Sequence, residues 1–203
     1  MNILADDTQD ISDIIWRRIE LFAAQILTTG RVHYRLDGGE YEEFGFGPGV
    51  PNVYNPPIPW DQPNASPITD LKAVRSQINR DTGVAPDVVV FSDRTADLFT
   101  GSEQVQTQLN KLHFVVGQLE PTRPSGTAQW LGKLLLPALE MWAYSESYID
   151  EFDGETVNDF IPPWCAIVGT TQPIDPAISV LATVASVSRR RLPQPPGASF
   201  STR

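Results

Sequence analysis

Near the start of the chain, apolar residues recur every three or four positions: Ile11, Ile14, Ile15, Ile19, Phe22 and Ile26, followed by Gly30. That period traces one face of an α-helix and predicts a helix over Asp10–Thr29, with the glycine as its stop. Asp10 or Ser12 can cap its start, and Asp6, Asp7 and Asp10 suit the positive end of the helix dipole. Trp16, Ala23, Ala24 and Leu27 widen the apolar surface beyond one stripe. A helix apolar on more than one side is expected to be packed on more than one side.

The period then changes to two. Val32, Tyr34 and Leu36 alternate with polar residues, Asp37-Gly38-Gly39 offers a turn, and Tyr41 to Phe46 returns, which predicts a hairpin. Gly47 to Pro67 is rich in proline and reads as an extended crossing. Ser66 as cap and Pro67 at the first helical position introduce a helix with Ile68, Leu71, Val74 and Ile78 on one face, ending at Gly83. Val88 to Phe91 is a continuous apolar run suited to a buried strand. Ser92 and Ser102 are placed to cap two short helices, Asp93 to Phe99 and a second running to about Leu112, before the strand-like His113 to Val116. Pro121 to Thr127 reads as a loop and Leu134 to Tyr148 as strand, with alternation at Leu139, Met141 and Ala143. Asp153-Gly154 is a turn, Phe160 to Trp164 leads into a strand ending near Gly169, and Ile178 to Val187 is a last strand. Residues 192–203, rich in Pro, Gly and Ser, are expected to form a flexible tail.

Composition narrows the class. A chain of 203 residues makes one domain or two small ones and can bury a full core without staples. No apolar run approaches the ~18–20 residues of a membrane span, and Met1 to Asp7 lacks the basic and apolar regions of a signal peptide. The single cysteine, Cys165, excludes an internal disulfide and sits in an apolar run, as a small buried hydrophobe does. The net charge of −10 repels phosphate backbones, so tight nucleic-acid binding is not expected. One basic cluster, Arg189-Arg190-Arg191, lies in the Pro-rich tail and reads as solvated or bound at an interface.

Candidate chemistry is sparse. His33 and His113 each lie in a strand-like segment with no second histidine at ligand spacing. Gly45, Gly47 and Gly49 lack the Gly-Lys-Ser/Thr and the helix of a phosphate loop. Glu146, Asp150, Glu151, Asp153, Glu155 and Asp159 gather carboxylates about a turn without the register of a calcium loop. No catalytic, cofactor-binding or metal-binding residue is therefore assigned, and an enzyme is not expected.

Three segments together resemble the major capsid protein E family, the lambda-like coat proteins of tailed phages. The first runs from Ser66-Pro67-Ile68-Thr69-Asp70-Leu71 through Gly83-Val84-Ala85-Pro86 and Val88-Val89-Val90-Phe91 to Ser92-Asp93. It is similar to that family's Pro-x-x-Asp-Leu helix, Gly-x-x-Pro turn, apolar strand and capped helix. The second is Trp142 to Asp150, similar to its Tyr-containing strand; the third is Asp153-Gly154 with Phe160-Ile161-Pro162-Pro163, similar to its turn and Phe-Ile-Pro step. Order and spacing agree over roughly residues 10–170.

The resemblance implies an α+β chain with the tailed-phage major capsid fold: a spine helix (Asp10–Thr29), peripheral strands (Val32–Phe46 with Ile178–Val187) and an α/β axial domain. The implied boundaries are 1–60 with 170–203 for the peripheral part and 61–169 for the axial part. It implies a structural subunit that meets copies of itself in hexamers and pentamers, with scaffold, portal and decoration proteins as further partners. No cofactor and no membrane are implied. The implied place is the virion capsid, after synthesis in the bacterial host cytoplasm. Family members carry an N-terminal arm and an extended loop before the spine helix; here Met1 stands only a few residues before it, so both are expected to be reduced or missing. The alternatives are another phage structural role, in decoration or tail assembly, and a carboxylate-dependent hydrolase using residues around Asp150–Asp159.

Overall fold

The computed structural model describes residues 3–36, 41–45, 52–110, 114–115, 128–135, 137–149, 155–171 and 183–186. Its first element, α1 (Ile3–Thr29), starts earlier than the expected Asp10, so neither Asp10 nor Ser12 stands at its cap. The polar residues before Ile11 carry no apolar period to read, yet acidic residues in a first turn favour helix. Gly30 ends it with φ 73° and its N–H on the Ile26 carbonyl at 2.9 Å, a left-handed terminus that glycine adopts without strain. The chain then enters the expected hairpin, β1 (Arg31–Arg35) with β2 (Tyr41–Gly45), antiparallel from Arg31↔Gly45 to Arg35↔Tyr41. Val32 is buried, and the His33 N–H donates to Gln25 Oε1 of α1 at 3.4 Å.

The rest builds on one mixed sheet. The proline-rich crossing contains a short strand, β3 (Asn52–Tyr54), and leads to α2 (Pro67–Thr82). Then come β4 (Val88–Ser92), α3 (Asp93–Gly101), α4 (Glu103–Asn110), β5 (Phe114–Val115), β6 (Ala128–Leu134) and β7 (Leu139–Tyr144). A small hairpin, β8 (Ser147–Ile149) with β9 (Val157–Asp159), precedes β10 (Cys165–Gly169) and β11 (Thr183–Ser186). The sheet runs β3-β11-β10-β4-β7-β6-β5, with β3–β11 and β4–β7 parallel and the other pairs antiparallel. The architecture is α+β, as expected.

Alternation along the central strands divides the core. Val89 and Phe91 of β4, Leu139, Met141 and Ala143 of β7, and Ala166 and Val168 of β10 point to one side. There they meet Ile68, Leu71, Val74 and Ile78 of α2, Phe99 of α3 and Val105 of α4. On the other side Val90, Cys165 and Ile167 pack with Ile161 and Tyr144.

Two local expectations are corrected. Ser66 and Ser92 make no side-chain cap bond: the Ile68 N–H takes Gln104 Oε1 at 3.0 Å, and Ser92 Oγ pairs with Thr95 Oγ1 at 2.9 Å. Ser102 does cap, accepting the Val105 N–H at 3.3 Å. Leu134–Tyr148 is not one strand but the end of β6, a turn with Ala138 at φ 62°, β7, and the start of β8. β6 escaped notice because a bulge between Trp130 and Gly132 breaks the period-two pattern. The last strand lies within the expected 178–187 and pairs with β10 and β3, with Ala185 and Val184 in register beside Ala166 and Ile167. The turns at Asp37–Gly39 and Asp153-Gly154, the loop Pro121 to Thr127 and the tail 192–203 lie outside the described residues.

Candidate functional site

Helix α1 touches the body along a narrow face. Leu21 and Ala24 are buried there against Phe160, with Tyr144 and Tyr148 beside them. The Phe160 ring sits 5.6 Å from Tyr148, edge to face, and 6.1 Å from Tyr144. Polar bonds fasten the same face. Arg17 Nη2 lies 2.8 Å from Glu146 Oε1 and donates to the Ser147 carbonyl at 2.9 Å, and the Tyr144 hydroxyl donates to Glu20 Oε1 at 2.6 Å. The Phe-Ile-Pro step thus supplies the seat for the helix.

At 3.6 residues per turn, Arg17, Leu21, Ala24 and Thr28 share that face, whereas Ile11, Ile15, Phe22 and Ile26 lie on the far side. Ile11 is 59% exposed, Ile14 68%, Ile15 53%, Trp16 68% and Ile19 49%. Phe22 is half-buried, with the Arg18 guanidinium 4.6 Å over its ring. Within its own chain α1 packs along this face among the described residues. α1 buries the side that carries its polar fasteners and turns its isoleucine stripe away from the body. Scattered exposed apolar residues are ordinary, but several adjoining on one helix mark a surface meant to be covered.

The residues singled out for chemistry are scattered. Cys165 is fully buried between strands, and burial pushes its thiol up to about 12. His33 lies on β1 with Nδ1 3.8 Å from Glu43 Oε2. Of the carboxylate group, Glu146 is paired with Arg17, Glu155 stands two residues before β9, and Asp159 is the last residue of that strand. Asp150, Glu151, Asp153, His113, Gly47, Gly49 and Arg189–Arg191 lie outside the described residues. Among the described residues no three His, Cys, Asp or Glu side chains are placed to hold a metal, and no helix is long and apolar enough to cross a membrane. An open cleft of about 420 Å³ lies between the crossing and α3, lined by Trp60, Asp61, Asp97, Leu98, Ser102 and Glu103 among others. Ser102 Oγ in that cleft donates to the Phe99 carbonyl and accepts the Val105 N–H.

Sequence reasoning missed the fasteners Arg17, Glu20 and Tyr144, which carry no periodic signal because they act across more than a hundred residues. It also passed over Asp70 as one letter of a motif, although a carboxylate between Ile68 and Leu71 on a buried helix face was a visible anomaly.

The family described as phage major capsid protein E matches residues 1–175 of the chain. A solved structure of a protein named as a prophage capsid protein, from E. coli CFT073, is 19% identical with a TM-score of 0.61, covering 78% of this chain and 45% of its own. A phage-related protein from Bordetella bronchiseptica RB50 is 12% identical with a TM-score of 0.54, covering 89% of this chain and 51% of its own. The chain thus spans about half the length of the solved structures it matches, and at these identities the likeness is one of fold. No curated protein matches.

Proposed function

This chain belongs to the phage major capsid protein E family, and from that premise we propose that it is a structural subunit of a tailed-phage or prophage shell. The exposed isoleucine stripe of α1 supports self-association most directly: Ile11, Ile15 and Ile19 are each about half exposed on a helix already fastened by its other face. Burying such a stripe against a second copy stabilises association without rearranging the fold.

In this reading α1 is the spine and the β1–β2 hairpin is peripheral. The seven-stranded sheet with α2 to α4 is the axial body around a local symmetry axis. Residues 1–60 and 170–203 form the peripheral part and 61–169 the axial part, with β3 and β11 carrying the peripheral segments into the axial sheet. Copies gather in hexamers and pentamers that close a shell in the virion, after synthesis in the host cytoplasm. Scaffold, portal and decoration proteins are its further partners. The role is structural, and no reaction is assigned to it. A wall with the chain's net charge of −10 repels packaged DNA and leaves it free to move.

Light scattering across a concentration series, with negative-stain microscopy of the same samples, tests the proposal. Rings of five or six, sheets, tubes or shells are expected. A chain that stays monomeric at every concentration overturns it.

A further inference from the structure

We propose that Asp70 is an acid-tightened clasp that holds the edge strand β3, and the crossing behind it, against α2. Strand β3 is the outermost strand of the sheet, three residues long, paired on one side only from Thr183↔Asn52 to Ala185↔Tyr54. So short a parallel edge holds weakly by itself. Asp70, 8% exposed, sits in the first turn of α2 and reaches both segments. Its Oδ2 accepts the Trp60 indole N–H at 2.9 Å, and its Oδ1 accepts the Tyr54 hydroxyl at 3.3 Å. Trp60 is itself buried, 6.2 Å from the Phe91 ring and 5.9 Å from Phe99, so one carboxyl ties strand, crossing and helix into the core.

The surroundings give this carboxyl no counter-charge. From β3 the facing titratable group is the Tyr54 phenol, and from the crossing it is the neutral Trp60 indole, with Asp61 beyond it exposed on the cleft. From α4 the group at the start of α2 is Gln104, neutral and held by the Ile68 N–H and the Thr69 hydroxyl, while Glu103 lines the cleft. On α2 itself Lys72 is exposed, and the Arg75 guanidinium donates to the Pro86 carbonyl. Among the described residues Asp70 has no ion-pair partner.

Burial therefore raises its pKa above the ordinary aspartate value, against the smaller lowering by the Trp60 and Tyr54 hydrogen bonds. Once protonated, the acid still accepts the indole N–H and the Tyr54 hydroxyl, each more weakly than the carboxylate does, so the clasp remains without a buried charge. The closed form binds the proton more tightly than the opened one. The added stability is fully present below the ordinary value of about 3.9 and is lost as pH rises through the raised pKa, the opening equilibrium changing by up to about tenfold per pH unit in between.

Hydrogen exchange of residues 52–66 in the full chain tests this, corrected for intrinsic rates between about pH 4 and pH 8. Opening of this segment is expected to fall on acidification, while the β6–β7 hairpin, the internal reference, does not follow. Asp70→Asn should abolish the dependence. Tyr54→Phe should move its midpoint to higher pH, since it removes one of the two bonds that favour the charged form. A flat wild-type profile, or an unchanged profile in Asp70→Asn, overturns the proposal. If Asp70→Asn fails to fold, an unmoved midpoint in Tyr54→Phe does the same.

Discussion

Replacing Ile11, Ile15 and Ile19 together by serine separates association from folding. Full burial of an isoleucine is worth about 1.5–3 kcal/mol. With about half of each side chain exposed, roughly 1 kcal/mol per residue remains to be gained when a partner covers it. Removing three such contributions should weaken each helix contact by about 3 kcal/mol, roughly a hundredfold in its dissociation constant. Within the chain the change is mild, because serine and isoleucine differ little in helix propensity and surface substitutions cost about 0.5 kcal/mol or less each. At about 2–4 °C per kcal/mol for a chain of this size, Tm should fall by only a few degrees. The melt should be taken at a dilution where wild type is monomeric, since assembly itself raises Tm. Sedimentation velocity over a concentration series reads the association. Three buried isoleucines would instead cost about 2–5 kcal/mol each when cut back and would unfold most domains. A collapsed Tm with unchanged association would mean that the stripe packs inside its own chain, and no change in either would mean that nothing covers it.

The opposite face of α1 answers differently. Leu21→Ala, at a 6% exposed site against Phe160, should cost about 2–3 kcal/mol by urea denaturation at the same dilution; a cost below about 0.5 kcal/mol would deny that this face is the seat. Cys165 is fully buried with its thiol pushed up to about 12, so the folded chain should resist iodoacetamide near neutral pH and react once denatured; rapid alkylation of the native chain would contradict its placement in β10. Ala138 sits at φ 62°, where a side chain costs about 1–2 kcal/mol and glycine's added freedom returns about 0.5–1. Ala138→Gly should therefore raise the urea midpoint slightly, and a clear fall would refute the left-handed turn.

Local rules made much of the fold legible. α2 carries its proline, its four-residue face and its glycine stop, and Gly83 takes φ 74° with its N–H on the Asn79 carbonyl as such a stop should. β4 is an unbroken apolar run because both of its faces are covered. What stayed hidden depends on partners distant in sequence. The cap of α2 is answered by Gln104, 36 positions on, and not by Ser66. The pairing of β11 with β3 joins strands more than a hundred residues apart, which periodicity does not report. The Asp87 carboxylate, bonded to the Thr171 N–H at 2.8 Å and its hydroxyl at 2.7 Å, is another such closure.

The first helix shows where this limit bears on function. Its period says that Ile11, Ile15, Ile19, Phe22 and Ile26 leave water together, and it cannot say against what. In most chains the answer is their own core; here the body is met by Leu21, Ala24 and Arg17, which form no comparable stripe. A helix held by its less apolar face is unfavourable for a chain that must remain single, since the better surface is left in water. It is favourable for one that meets its copies, because the polar fasteners fix the orientation before association and leave the apolar face ready to be buried. The same sequence pattern thus fits a monomer's core and a subunit's contact equally well. The positions of Arg17, Glu20 and Tyr144, which hold the helix from behind, leave Ile11, Ile15 and Ile19 facing away from the chain's own body.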